Sequence, residues 1–134
     1  SPEMQRRILE IMDSPTYREL HIAPYSVVSN PHNAKYQNCT EFMLDVVAAA
    51  MWETTDMAQL KVNLRAHFKP TVVKTSGLER FFAPMADASI KTDDQKGEIV
   101  TTTYESLAEF MRANKLTQEV YVLHRDKTAA PATP

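Results

Sequence analysis

The chain contains a single cysteine, Cys39, in the setting where a thiol nucleophile is most easily made. It lies in the run Tyr36-Gln37-Asn38-Cys39-Thr40-Glu41-Phe42, where a polar turn passes into an apolar stretch that continues to Met51. Asn38 is a favoured helix N-cap, and Glu41 three residues later completes the pattern of a capping box. Cys39 then falls in the first helical turn, where unpaired backbone N–H groups and the helix dipole favour a thiolate over a thiol. A thiolate attacks carbonyl carbon, so the chemistry in view is acyl transfer through a thioester. The competing reading is a buried small hydrophobe, a common fate of a free cysteine.

A thiol nucleophile needs a base within hydrogen-bond reach. His21, just before an extended segment, and His32, in a Pro/Asn turn near Cys39, are the candidates. His67 falls at the end of a helix, where a cationic ring suits the carbonyl terminus, and His124 reads as a surface residue closing the last strand. Tyr36 and Gln37 immediately precede the nucleophile turn, and with the Cys39 backbone N–H they form a candidate oxyanion site. The alternative is that Tyr36 packs against the helix and Gln37 is solvated. No histidine pair has zinc spacing, and Asp93, Asp94 and Glu98 lack the spacing and length of a calcium loop. The only glycines, Gly77 and Gly97, exclude a glycine-rich phosphate loop. Neither a metal nor a cofactor is expected.

The elements that must position these residues follow from the hydrophobic spacing. Ser1-Pro2-Glu3 starts a helix in which Met4, Ile8 and Ile11 recur at helical spacing, and Asp13-Ser14-Pro15 ends it. Pro24 to Ser29 reads as a short extended segment closed by Asn30-Pro31. In the Cys39 helix, Cys39, Met43, Val46 and Ala50 share an apolar face, so the thiol is expected to point inward or into a cleft. A third helix runs from about Thr55 with Met57, Leu60 and Leu64 as its stripe, and Lys69-Pro70 breaks it. Thr71 to Lys74 favours a strand, and Gly77 to Phe82 suits one helical turn. Ala86 to Lys91 alternates like a half-buried strand, and the turn Asp93 to Gly97 joins it in a hairpin to Glu98–Thr102. Thr102 and Glu105 suggest a second capping box, opening a helix through Leu107, Phe110 and Met111. Glu119 to Leu123 reads as a last strand. The pattern is α+β, helices first and a small, mostly antiparallel sheet after.

At 134 residues, with 43% hydrophobic and 24% charged residues, the chain reads as one soluble domain over residues 1–126. Residues 127–134 form an Ala/Thr/Pro-rich tail expected to be disordered. A net charge of -2 leaves no electrostatic footprint for nucleic acid. No apolar run reaches membrane-spanning length, no signal peptide is present, and one cysteine excludes an internal disulfide.

Three blocks carry a family resemblance. His21 to Met51 holds Tyr25-Ser26-Val27-Val28-Ser29-Asn30-Pro31, then Tyr36-Gln37-Asn38-Cys39 and Leu44 to Ala50. Lys69-Pro70-Thr71-Val72-Val73-Lys74 with Leu78-Glu79-Arg80 is the second, and Ile99 to Phe110 the third. In this order and spacing they resemble the bacterial family called domain of unknown function 2145. That family is similar to the permuted papain-like proteins, the NlpC-type superfamily that includes lecithin:retinol acyltransferase-like enzymes. The resemblance implies a permuted papain-like fold, with helices, one starting at the cysteine, packed on a small mostly antiparallel sheet, and it assigns the nucleophile position to Cys39. It also implies that the histidine-bearing strands lie upstream of Ser1, making this chain the C-terminal half of the family's domain. The non-methionine start agrees with that expectation.

The leading expectation is therefore a cysteine hydrolase that cleaves an amide or ester bond through an acyl-enzyme on Cys39. A cell-wall peptide or acylated lipid would be its substrate, in the bacterial cell envelope or outside the cell. The alternatives are an inactive papain-like binding or assembly domain and an acyltransferase. An unpaired sheet edge is expected to meet an upstream fragment, a partner or a second copy of the chain.

Overall fold

A computed structural model describes residues 1–74, 89–117 and 119. In chain order the elements are α1 (Pro2–Met12), α2 (Thr16–Glu19), α3 (Cys39–Trp52), α4 (Met57–His67), β1 (Thr71–Val72), β2 (Val100–Thr101) and α5 (Tyr104–Ala113). The class is α+β, rich in helix, with an antiparallel sheet of two strands among the described residues. None of the described helices is long and apolar enough to cross a membrane.

Local chemistry accounts for the helix boundaries. The Ser1 side chain accepts from the Met4 N–H and proline occupies the first helical position of α1. The Asn38 side chain accepts from the Glu41 N–H and starts α3. Asp56 caps α4 by accepting from Ala58 and Gln59, so this helix begins two residues after the Thr55 start read from the sequence. At α5 the cap is Thr103 in a reciprocal box with Ser106, one residue beyond the expected Thr102–Glu105 pair. The hydroxyl of Ser106 reaches back to the Thr103 N–H, which a glutamate at that position would otherwise do.

α3 is the central element. α1, α4 and α5 all pack on it, and the core gathers Met4, Leu20, Leu44, Val47, Leu60, Leu64, Phe68, Leu107 and Phe110. Ala48, Ala49 and Ala50 are all buried, and their small side chains let neighbouring helices approach closely. Edge-to-face contacts of Phe110 with Trp52 and Phe68 close the end of the core away from Cys39.

The sheet differs from the expected hairpin. β2 pairs with β1, with Thr71 opposite Thr101 and Val72 opposite Val100, and not with a strand at 86–91. Of that segment, Ser89, Ile90 and Lys91 are described and none is a strand. They instead serve the stretch 24–29, where Val27 N–H donates to Ser89 O and the Ser26 hydroxyl bonds both the N–H and the carbonyl of Lys91. Side-chain bonds take the place of a ladder, so Pro24 to Ser29 is a loop and not a strand. The expected turn at Gly77–Phe82, the strand at Glu119–Leu123, His124 and the tail lie outside the described residues, Glu119 itself excepted.

One ionic cluster clamps α4 to α3. The Lys61 ammonium lies 2.8 Å from Glu41 Oε1 and 2.8 Å from Asp45 Oδ1, and all three side chains are almost wholly buried. Two carboxylates one helical turn apart thus share one cation, and removing that cation strands both in the interior. Lys61→Met is expected to cost about 3–5 kcal/mol at pH 8 by chemical denaturation, the range for breaking a buried pair. The loss should shrink at pH 5, where a carboxyl can take a proton in place of the missing ammonium.

Candidate functional site

Cys39 is the first residue of the 14-residue α3, and its side chain is exposed. The expectation of an inward-facing thiol is corrected by the uneven cover along that apolar face. Val46 and Ala50, farther along it, are buried, whereas Met43 is 57% exposed and Cys39 opens to the surface with it. Asn38, Glu41 and Leu44 beside them are buried, so the helix start lies in the core and only its Cys39–Met43 side is left uncovered; equal spacing does not give equal burial. The sulfur lies 4.0 Å from Thr40 Oγ1, its one hydrogen-bonding contact among the described residues. The backbone N–H groups of Cys39 and Thr40 have no acceptor among the described residues, as the first turn of a helix requires. They are donors free to receive a negative charge.

The turn leading into Cys39 is heavily anchored through Asn38. Its N–H donates to Ser29 Oγ at 3.0 Å, and its side-chain oxygen accepts from the Glu41 N–H at 2.8 Å. Its amide nitrogen donates to the Val27 carbonyl and to Thr101 Oγ1 at 3.1 and 3.0 Å. One residue thereby joins the 24–38 loop, strand β2 and helix α3.

The capping box is only half formed. Asn38 caps Glu41, but Glu41 does not reach back to the Asn38 N–H, a place Ser29 takes. The Glu41 side chain turns inward, accepting from the Ser29 hydroxyl and from Lys61. Burial pushes its pKa up to about 7, with Asp45 adding to the rise and Lys61 and Ser29 opposing it. Asp45 is also raised by burial, yet it receives both Lys61 and the Gln37 amide.

Gln37 and Tyr36 hold places other than those read for an oxyanion site. Gln37 is buried, so the solvated alternative is also corrected. Its amide nitrogen donates to Leu20 O and Asp45 Oδ2, and its oxygen accepts from the Ile22 N–H. With both amide hydrogens engaged, it is a brace for the loop after α2. Tyr36 is buried, with the ammonium groups of Lys35 and Lys91 at 5.7 and 5.1 Å from its ring centre, and the Asp93 carboxylate beside its phenol raises the pKa.

Neither expected base meets the sulfur. The exposed His21 ring lies edge-on to Phe42 with centroids 6.1 Å apart. His32 places Nε2 at 3.2 Å from the Phe68 carbonyl, which can only accept, so this nitrogen carries the proton. Burial lowers the His32 pKa and favours the neutral ring. Among the described residues no histidine is hydrogen-bonded to Cys39, and no three His, Cys, Asp or Glu side chains are grouped to hold a metal ion. Tyr25, 42% exposed, is an ionisable neighbour, its phenol pKa raised first by burial and then by the Cys39 sulfur.

Ser29, Glu41, Asp45, Lys61 and Thr101 complete the surroundings of the turn, and sequence reasoning missed their roles. A signal for three of them was present. Glu41 and Asp45 interrupt an otherwise apolar helical run four residues apart, and Lys61 lies on the same stripe as Met57, Leu60 and Leu64. Charges on apolar faces require one another.

Residues 1–111 match the model of a family described as an uncharacterized protein conserved in bacteria, DUF2145. No curated protein and no solved structure matches the chain.

Two outcomes follow from this geometry. Asn38→Ala removes the helix cap and leaves the Val27 carbonyl and the buried Thr101 hydroxyl short of a donor. A loss of about 2–4 kcal/mol in equilibrium unfolding is expected, beyond the roughly 1 kcal/mol of a cap alone. Glu41 holds its proton to about pH 7 in the native state and releases it near 4.5 when unfolded. The native state therefore binds more protons across that window, and Glu41 makes stability fall as pH rises through it. Glu41→Gln should flatten the slope of unfolding free energy between about pH 4.5 and 7.

Proposed function

This chain belongs to the DUF2145 family of uncharacterised bacterial proteins, and from that premise we propose that Cys39 is the nucleophile of a cysteine hydrolase acting on an amide or ester bond. The observation that carries the reading is the placement of the thiol. It is exposed at the first position of α3, beside two unpartnered backbone N–H groups, on a turn that Asn38 bolts to the loop and the sheet. The resemblance to permuted papain-like, NlpC-type proteins gives the same residue the same role.

In this mechanism a histidine takes the thiol proton and the Cys39 sulfur attacks the carbonyl carbon. The carbonyl oxygen becomes an oxyanion held by the N–H groups of Cys39 and Thr40. As the oxyanion collapses, the C–N or C–O bond breaks, and the histidinium gives its proton to the departing amine or alcohol. Water, deprotonated by the same histidine, then cleaves the thioester and restores the thiol. Neither His21 nor His32 is hydrogen-bonded to the sulfur, and on this reading the base comes from another part of the protein. On this reading the chain is the nucleophile-bearing C-terminal half of a permuted papain-like domain. Its substrate is a cell-wall peptide or an acylated lipid, in the cell envelope or outside the cell. An acyltransferase shares every step until an acceptor other than water attacks the thioester. The binding or assembly alternative keeps the scaffold and leaves Cys39 idle.

The test is turnover by the longest natural polypeptide that contains this chain, assayed on cell-wall muropeptides and on acylated lipid. Cleavage lost in Cys39→Ala is expected. Cleavage untouched by Cys39→Ala, or no cleavage of either substrate, would overturn the hydrolase and favour the binding reading.

A further inference from the structure

We infer that Ser29, Glu41 and Lys61 are positioning residues for the Cys39 thiol. They form a hydrogen-bonded chain that runs from the α4 ammonium to the backbone N–H of Asn38 and sets the turn from which the thiol reacts. The purpose of this chain rests on the nucleophile reading; its geometry does not. Lys61 Nζ donates to Glu41 Oε1 at 2.8 Å, the Ser29 hydroxyl donates to Glu41 Oε2, and Ser29 Oγ accepts from the Asn38 N–H at 3.0 Å. Lys61, Glu41, Ser29 and Asn38 are all buried, so water does not compete for these bonds. The last link lies on the Gln37–Asn38 peptide, immediately before the peptide that carries the Cys39 N–H, and so anchors the turn that leads into the thiol.

Ser29 has one hydrogen to give. It goes to Glu41, while the hydroxyl oxygen receives the Asn38 N–H. If Glu41 takes a proton on Oε2, that O–H must donate to Ser29 Oγ instead. The serine hydrogen then loses its acceptor, and no other partner faces it among the described residues. Ser29 Oγ then accepts from Glu41 and from the Asn38 N–H at once, so the acceptor that steadies Asn38 changes with the charge of Glu41.

Glu41 is the carboxyl suited to accept this proton. Asp45, from the same helix, receives two contacts from Lys61 and one from the Gln37 amide, whereas Glu41 receives one from Lys61 and one from a hydroxyl. The groups facing Glu41 are Lys61 from α4, Asp45 from α3 and Ser29 from the loop. His32 lies beyond Lys61, its pKa lowered by burial and by the nearby Lys61 and Arg65 charges. With Glu41 raised to about 7, the reactivity of Cys39 should carry two ionisations, its own and one from Glu41 near neutrality.

The experiment is the rate of iodoacetamide alkylation of the full chain from pH 5.5 to 9.5. Because Cys39 is the chain's single cysteine, one adduct reports one site. Wild type should show, besides the thiol ionisation, a step near pH 7 of about fivefold, the size one hydrogen bond contributes. Glu41→Gln should show a single ionisation. Ser29→Ala, which keeps the Lys61–Glu41 pair, should lose the step near pH 7 as well. A purely structural role would lower the melting temperature and leave the step in place. A folded Ser29→Ala chain with the wild-type profile, or a wild-type profile with one ionisation, would overturn the inference. If Glu41→Gln does not fold, Ser29→Ala decides alone. Alkylation reads the thiol and not turnover. A two-step profile in a protein that cleaves nothing sinks the hydrolase and keeps the positioning chain; the reverse result does the opposite.

Discussion

Lys61 brings an ammonium into the interior, where Glu41 and Asp45 wait on successive turns of α3, and much of the architecture around Cys39 depends on how those three charges are reconciled. Desolvating charges is costly, and a pair buried together contributes little net stability over apolar residues of the same shape. What such a cluster does contribute is geometry. An ammonium that must meet two carboxylates allows one rotation and one height of α4 against α3, whereas Leu60 and Leu64 alone would tolerate slippage. The carboxylates then pass the constraint outward, Asp45 to Gln37 and Glu41 to Ser29. Through these two residues the 20–38 loop is fastened to the helix pair.

That loop, irregular in backbone, is ordered by side chains. Ser26, Ser29, Gln37 and Asn38 are all buried, and each bonds a neighbouring segment. Asn38 carries the largest share. Its amide nitrogen reaches β2, its oxygen starts α3, and its N–H finds Ser29. The cysteine that follows is thus attached to a rigid junction while its own side chain stays at the surface. A reactive group held in this way gains from positioning without the cost of burial. The same anchoring serves a binding surface equally well, which is why chemistry at the sulfur, and not the fold, separates the two readings.

Much of the helical frame was legible in the residues. Pro2 at the first position of α1, Asn38 before α3 and the Leu60–Leu64 spacing of α4 are local patterns, and local patterns set helix existence with ends uncertain by a residue or two. The antiparallel pairing of Val100–Thr101 was legible as a strand but not in its partner. Alternation along 86–91 satisfied the hairpin rule, yet β1, some thirty residues upstream, supplies the pairing. Strand partners are chosen by long-range packing, which neighbouring residues do not encode.

By itself the sequence determined that a cysteine begins a capped helix, because cap and apolar spacing act within a few residues. It did not determine that the thiol is exposed. Cys39 and Val46 share a face by periodicity, and only which part of that face the rest of the chain covers separates a surface sulfur from a buried valine. Nor did it reveal that Glu41 abandons the capping box. A glutamate beside a helix start ordinarily bonds the nearest backbone donor. Here a cation from α4 and a serine twelve residues upstream offer a buried carboxylate more than that donor can, and only tertiary structure brings them there.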